Sequence, residues 1–504
     1  MAGRYVNDAA TLEDGFGTLV AGDQVARMVL EADPPFTLGI TGKWGSGKTS
    51  ILRRAFATLG GNPVRIDIPM GDKPRNETGN EKWAKWSFKK RWKAAEDEPL
   101  AQQAERSLCV WYSPWQHQAA ENPLIPLLLE IREQYTPWVK AKKKSAELIR
   151  RGGLATMHVL EGILDAALEL GFKTKGVAAT AEAVRKSWRE SAPAEYKLAD
   201  GQRFHLLFED AVETLLDSHE EKAEDRTGRL IVFVDDLDRC EEEAIVKLLQ
   251  AIKLYLVSKR CVFVLALDDT AVLDALTRYW KGRSEDANRD YLEKLFQAIV
   301  PVPVPWPNQV EEFLKKQLEA HQFPDIQNSA KMVEELLEPN PRKIKNFINS
   351  VCAQWQLFRH ACPPDGEANA EERTTFAKQL LLLQYLRMQH RPVWRLIERQ
   401  WWGLRLVGEV LADAPDQLTH LPEGIGQAEQ RMLRRVVYRS FAHVLKSDSE
   451  KDDFHGHIPI AEAVELLNQR IDRKRSDERF IALFKTVFGN NTDLPEAFRY
   501  LPKP

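Results

Sequence analysis

The run Gly42-Lys-Trp-Gly-Ser-Gly-Lys-Thr49 constrains this chain more than any other stretch of it. Glycines this dense weaken a helix or strand interior, so the segment is a turn. The turn has a definite setting. Phe36-Thr-Leu-Gly-Ile-Thr41 before it is a short apolar run suited to a buried parallel strand. After it, Ser50-Ile-Leu-Arg-Arg-Ala-Phe56 places Ile51, Leu52, Ala55 and Phe56 on one helical face. Strand, glycine turn and helix in that order open an α/β nucleotide fold.

The turn matches G-x-x-x-x-G-K-[ST] at every position, and each position has a chemical reason. Gly42, Gly45 and Gly47 allow backbone conformations and close approaches closed to other residues. The amides of the turn, including those of Ser46 and Lys48 through Ser50, then converge on phosphate oxygens at the positive end of the following helix. Lys48 is expected to reach the β- and γ-phosphates of ATP as a point charge, and the Thr49 hydroxyl to ligate Mg2+. Trp44 is expected to pack beside the loop.

A second segment supplies the acids such a turn needs. Leu230-Ile-Val-Phe-Val-Asp-Asp236 is an apolar strand ending in two carboxylates. Asp235 is expected to hold magnesium and Asp236 to polarise the water that attacks the γ-phosphate. Asp238 is a rival for the role of base. Arg239 either senses the γ-phosphate or pairs with Asp238. This strand is expected to lie directly beside the phosphate-loop strand, so that both halves meet at the carboxyl end of the sheet.

At 504 residues the chain exceeds one hydrophobic core. The expected division is a doubly wound, mostly parallel α/β core over 1–307, with helical insertions at about 71–106 and 137–200. A helical lid follows over 308–360, then a helical region over 371–504, with the loop Cys362 to Asn369 between them. Within the core, Phe208, Ala211, Val212 and Leu215 keep helical spacing, and Cys261 to Leu267 reads as a further buried strand. Ala298 to Pro305, punctuated by prolines, reads as an edge strand.

The formal net charge of -3 supplies no global field toward nucleic acid or acidic lipid. The five cysteines show no metal-ligand spacing and read as reduced thiols. No stretch reaches the roughly 20 apolar residues of a membrane helix, and no signal peptide is read at the N-terminus. The expectation is a cytoplasmic protein without a membrane span.

On these residues the chain resembles the KAP family of P-loop NTPases, in the branch with an extra strand between the two nucleotide motifs. The likeness rests on Gly42 to Ser50 with its internal Trp44, and on Val232-Phe-Val-Asp-Asp-Leu-Asp-Arg-Cys240. Val110-Trp-Tyr-Ser-Pro-Trp115, Ala251-Ile-Lys-Leu254, Val262 to Asp268 and Tyr291 to Phe296 add to it. The resemblance implies ATP hydrolysis on a doubly wound sheet. It puts Asp268 at a polar strand end next to the γ-phosphate, and Arg342 in a lid motif, Asn340-Pro-Arg-Lys-Ile-Lys345, that approaches the bound phosphates. Where many relatives carry membrane helices between the two motifs, the insertion here is polar. The resemblance further implies self-association or a separately encoded effector partner, in the manner of anti-phage defence components. Arg239 and Arg278 are candidate arginine fingers.

Glu81-Lys-Trp-Ala-Lys-Trp-Ser-Phe-Lys-Lys-Arg-Trp92 interleaves cations and aromatics, and Lys140 to Lys144 adds a second basic cluster. That composition can grip nucleic acid, but a solvated basic helix face is the favoured reading at this net charge. His117 reads as a packed or exposed histidine, not a catalytic one, and Trp401 and Trp402 as core of the helical tail.

Overall fold

The computed structural model describes residues 6, 15–61, 98–118, 123, 125–131, 200–217, 227–255, 258–362, 366, 369–399, 402–411, 426–441, 444 and 460–488. Two compact units emerge, one of Ala10–Pro303 and one of Met1–Ala9 with Val304–Pro504. The apolar run Val64 to Ile68, which reads as a further strand, most of both insertions and both basic clusters lie outside the described residues.

The first unit is built on a five-stranded sheet of β1 (Phe36–Thr41), β2 (Leu108–Tyr112), β3 (Leu230–Val234), β4 (Cys261–Leu267) and β5 (Ala298–Pro301). Its order is β2-β3-β4-β1-β5, and every neighbouring pair is parallel. Parallel strands buried on both faces need near-continuous apolar runs; Leu108–Tyr112, Leu230–Val234 and Cys261–Leu267 are buried throughout. The proline-bearing β5 sits at an edge, where a missing ladder donor costs little.

One expectation fails here. The acid-bearing β3 does not adjoin the phosphate-loop strand β1, because β4 lies between them and pairs with both, as the extra strand implied by the family resemblance would. Strand contents read from sequence do not specify their lateral order. That order depends on which crossover helices pack on which face.

Side-chain alternation divides the strands between two cores. On one face Cys109, Trp111, Ile231, Phe233, Val262, Val264, Leu38 and Ile40 meet Ile51, Leu52, Ala55 and Phe56 of helix Lys48–Thr58 and Val25, Ala26 and Val29 of helix Thr18–Glu31. Phe56 packs edge-on against both Trp111 and Phe233, with ring centroids 5.5 Å away. Burying a side chain of this size stabilises by about 1.5–3 kcal/mol. The other face of the sheet is covered by the 125–131 helical turn and helices Asp200–Asp217, Glu242–Tyr255, Asp269–Tyr279 and Glu285–Leu295.

The polar, charged composition of 71–106 reads as a surface insertion, and part of it departs from that reading. Residues Glu98–Arg106 form a helix whose Ala104 is buried in the phosphate-loop face and whose Leu100 packs on it. Arg54 locks helix Lys48–Thr58 to its neighbour. Its Nε and Nη2 donate to the two oxygens of Asp23 at 2.7 and 2.6 Å, and Thr58 Oγ1 donates to the same carboxylate at 2.9 Å.

The second unit is helical among its described residues. Helices Pro307–Ala320, Ile326–Leu336 and Pro341–Phe358 are followed by Ala370–Gln389, Arg391–Arg399, Gly403–Leu411, Gln427–Ser440 and Ile460–Phe488. Gln354 Nε2 donates to Gln384 Oε1 at 2.7 Å across Pro341–Phe358 and Ala370–Gln389. A polar node centred on the buried Tyr385, His390 and Asp477 ties the later helices together. Asp477 Oδ1 accepts from Tyr385 Oη and contacts His390 Nε2, both at 2.7 Å, while His390 Nδ1 meets Ser440 Oγ at 2.8 Å. Trp402 is buried, as read; Trp401 lies outside the described residues.

Candidate nucleotide site

The phosphate-loop turn is fastened to the sheet at its start, where the Gly42 amide donates to the Leu267 carbonyl at 3.2 Å. It closes on itself through Ser46 N–H to Lys43 O at 3.1 Å. Gly45 and Gly47 stand at φ 83° and 109°, in the left-handed region that a side chain disfavours. A Cβ at Gly42 would lie 2.7 Å from Ser46 Oγ and 3.2 Å from Val302 Cβ, so a side chain there would have to displace its neighbours. Helix Lys48–Thr58 begins immediately, so its first amides face the concavity of the turn.

Four side chains, from the start of helix Lys48–Thr58 and from the segment that follows β3, meet over this turn. Thr49 Oγ1 donates to Asp235 Oδ1 at 3.1 Å. Lys48 Nζ donates to the Gly42 carbonyl at 2.6 Å and to the Lys43 carbonyl at 3.4 Å, and its third partner is Asp238 Oδ2 at 3.1 Å. The Lys48 and Asp238 side chains are only 8% and 10% exposed, so this is an ion pair drawn out of water. Asp235 is buried at the end of β3, where burial first and the charge of Asp236 second push its carboxyl up to about 7. The Asp236 amide, the Thr49 hydroxyl and the Arg53 charge pull the other way.

Asp236 itself is strained, at φ 59° and ψ 27°. Its Oδ1 accepts from Arg239 Nε at 2.8 Å, and the Arg239 guanidinium lies 5.6 Å from the ring centre of Trp115. The acids and cations are thus exchanged relative to one reading from sequence: Arg239 pairs with Asp236, not Asp238, and Asp238 pairs with Lys48. The left-handed turn at Asp236 causes this, because it swings Asp238 back over the loop while leaving Asp236 at the rim.

Other candidate residues fall as follows. Asp268 ends β4 and caps helix Asp269–Tyr279, its Oδ1 accepting from the Thr270 amide at 3.2 Å and hydroxyl at 2.6 Å. Arg278 bonds Glu242 at 2.6 Å. Trp44, in the turn, is 63% exposed. His117 is half-buried, stacked on Tyr112 and 3.8 Å from the Glu130 carboxylate. Ser50 lies in the first turn of helix Lys48–Thr58. Arg342 belongs to the second unit, where its amide donates to the capping Asn340 at 3.1 Å. Sequence reading passed over Arg53, one helical turn beyond Thr49 and close enough to Asp235 to lower its carboxyl.

The donor set fits a magnesium triphosphate. Thr49 Oγ1 and Asp235 offer two hard oxygens on one side of the turn, and no cluster of three or more His, Cys, Asp or Glu among the described residues offers a protein cage. Mg2+ is commonly held by just one or two protein oxygens, with phosphate and water completing its octahedron. Ser46 Oγ, in the turn itself, is buried without a hydrogen-bond partner among the described residues.

The model of the KAP family P-loop domain matches residues 21–354. The chain belongs to this family. In this KAP chain the match spans β1, the phosphate turn and the β3 acids together. Among solved structures, the KAP chain is similar to the Walker-type ATPase of Pyrococcus abyssi, at 14% identity and TM-score 0.32 over 88% of this chain and 95% of that one. It is also similar to the ORC2 protein of Aeropyrum pernix, solved as ADPNP–ADP complexes, at 12% identity and TM-score 0.34 over 92% of each. No curated protein matches it.

Proposed function

We propose that this protein binds and hydrolyses ATP with Mg2+ and works as a nucleotide-driven switch or assembly factor. The observation that carries the reading is the meeting of Lys48, Thr49, Asp235 and Asp238 over a glycine turn at a helix N-terminus. Bound magnesium would neutralise phosphate charge between Thr49 and Asp235. Lys48 would hold the β- and γ-phosphates, and the turn's amides would fix their orientation. Asp236, at the rim and tethered by Arg239, is the group proposed to orient and deprotonate the attacking water. Asp268 is proposed to sense the γ-phosphate from the end of β4.

The output is proposed to pass by self-association or to a separately encoded effector, in the setting of anti-phage defence. That part rests on family resemblance, not on any residue. The chemical part is tested by phosphate release under Mg2+–ATP. Lys48→Ala should abolish nucleotide binding, and Asp236→Asn should bind ATP yet turn over at least a hundredfold more slowly, on the order of a general-base loss. Normal turnover in Asp236→Asn would remove that residue from the role, and absence of turnover in the unaltered protein would leave a nucleotide-binding scaffold.

A further inference from the structure

The carboxyl end of β2 holds a group that the nucleotide site described above does not use. Ser113 follows Tyr112 directly, and its Oγ is buried without a hydrogen-bond partner among the described residues. A buried hydroxyl left unpaired costs about 1–3 kcal/mol, a cost that alanine in its place would avoid.

The register says where this hydroxyl points. Tyr112 pairs with Val234, and the Asp235 amide donates to the Tyr112 carbonyl at 3.0 Å, so Ser113 stands beside Asp235. Pro114 keeps Ser113 extended, at φ -112° and ψ 97°, so the strand's alternation runs on through it. Tyr112 and Val234 face one core, while Trp111 and Phe233 face the core of helix Lys48–Thr58. Ser113 and Asp235 therefore share the side of Trp111 and Phe233, which is the side from which Thr49 bonds Asp235.

We propose that Ser113 is a positioning residue for the magnesium of this site, its hydroxyl hydrogen-bonding a water in the shell of the cation that Thr49 and Asp235 hold. A water bound to a cation is a strong donor. A serine hydroxyl can accept from it and donate to the neighbouring carboxylate, which would orient both without touching the metal. The inference rests on the magnesium–nucleotide reading and extends it from β3 to β2.

The test titrates a fluorescent ATP analogue into the full chain, in Mg2+ and in excess EDTA, for the unaltered protein, Ser113→Ala and Ser113→Thr, with a melting curve for each. Loss of an outer-shell partner should cut the Mg2+-dependent gain in affinity about 10-fold to 100-fold in Ser113→Ala. Affinity in EDTA should stay unchanged, the melting midpoint should hold or rise as the unpaired hydroxyl is removed, and Ser113→Thr should restore the gain. Equal weakening with and without Mg2+, accompanied by a lower midpoint, would make Ser113 structural and overturn the proposal. A Ser113→Ala protein that keeps the full Mg2+ effect would overturn it too, while sparing the nucleotide reading. Failure of the unaltered protein to bind nucleotide would take down both.

Discussion

Neutralising Asp238 should tighten nucleotide binding. Lys48 is the group expected to grip the β- and γ-phosphates, and Asp238 competes for it: Oδ2 stands 3.1 Å from Nζ, and both side chains are about nine-tenths buried. At an effective dielectric near 20, two unit charges at that separation attract by about 5 kcal/mol. Lys48 keeps its bond to the Gly42 carbonyl but must give up this anion for another. Only part of the pair's energy then appears as affinity. With Asp238→Asn we expect a gain of about 1–2 kcal/mol, or roughly tenfold in Kd for ATP. The gain should be similar for ADP and small for AMP, which lacks the phosphates Lys48 reaches. Without nucleotide the same variant should melt earlier, since removing one partner of a buried pair costs about 3–5 kcal/mol; ATP should recover much of that loss. Calorimetric titration of the three nucleotides into both proteins decides the matter. An unchanged or weaker Kd for ATP, with turnover abolished, would refute the reasoning and return Asp238 to the role of base or magnesium-shell ligand.

Two further outcomes follow from the structure. Asp477→Ala should destabilise the helical unit by about 3–5 kcal/mol, because the buried Tyr385 and His390 lose a shared carboxylate; urea unfolding followed by tryptophan fluorescence measures this, and a loss under about 1 kcal/mol would contradict it. Cys240, whose thiol burial and the charges of Asp236 and Asp238 push up to about 12, stays protonated at neutral pH, so it should react with a thiol reagent at pH 8 more slowly than an ordinary thiol.

The readable parts of this molecule are those in which local sequence decides local shape. The turn from Gly42 to Thr49 declares itself because only glycine tolerates φ values such as those of Gly45 and Gly47. The apolar run before Asp235 declares a buried strand ending in acid. The partnerships of the acids were not readable. They hinge on a left-handed turn at Asp236, a residue whose type permits that conformation without announcing it. The burial of Ala104 was not readable, because the helix Glu98–Arg106 carries few apolar residues and its packing depends on the groove it meets. His390 and Asp477 lie 87 residues apart in the chain, so no window of sequence could join them.

The placing of β4 between β1 and β3 sets a gauge for the site. Two interstrand steps separate the glycine turn from the acids, about 10 Å of backbone at about 4.8 Å per step. That width is maintained by ladders of main-chain hydrogen bonds on both sides of β4, not by loops that can drift. Substituting side chains can therefore re-aim the reach of Lys48 or Asp235 across the gap. The gap itself would change only by rebuilding the sheet, which makes the spacing of the reacting groups one of the least adjustable dimensions of the protein.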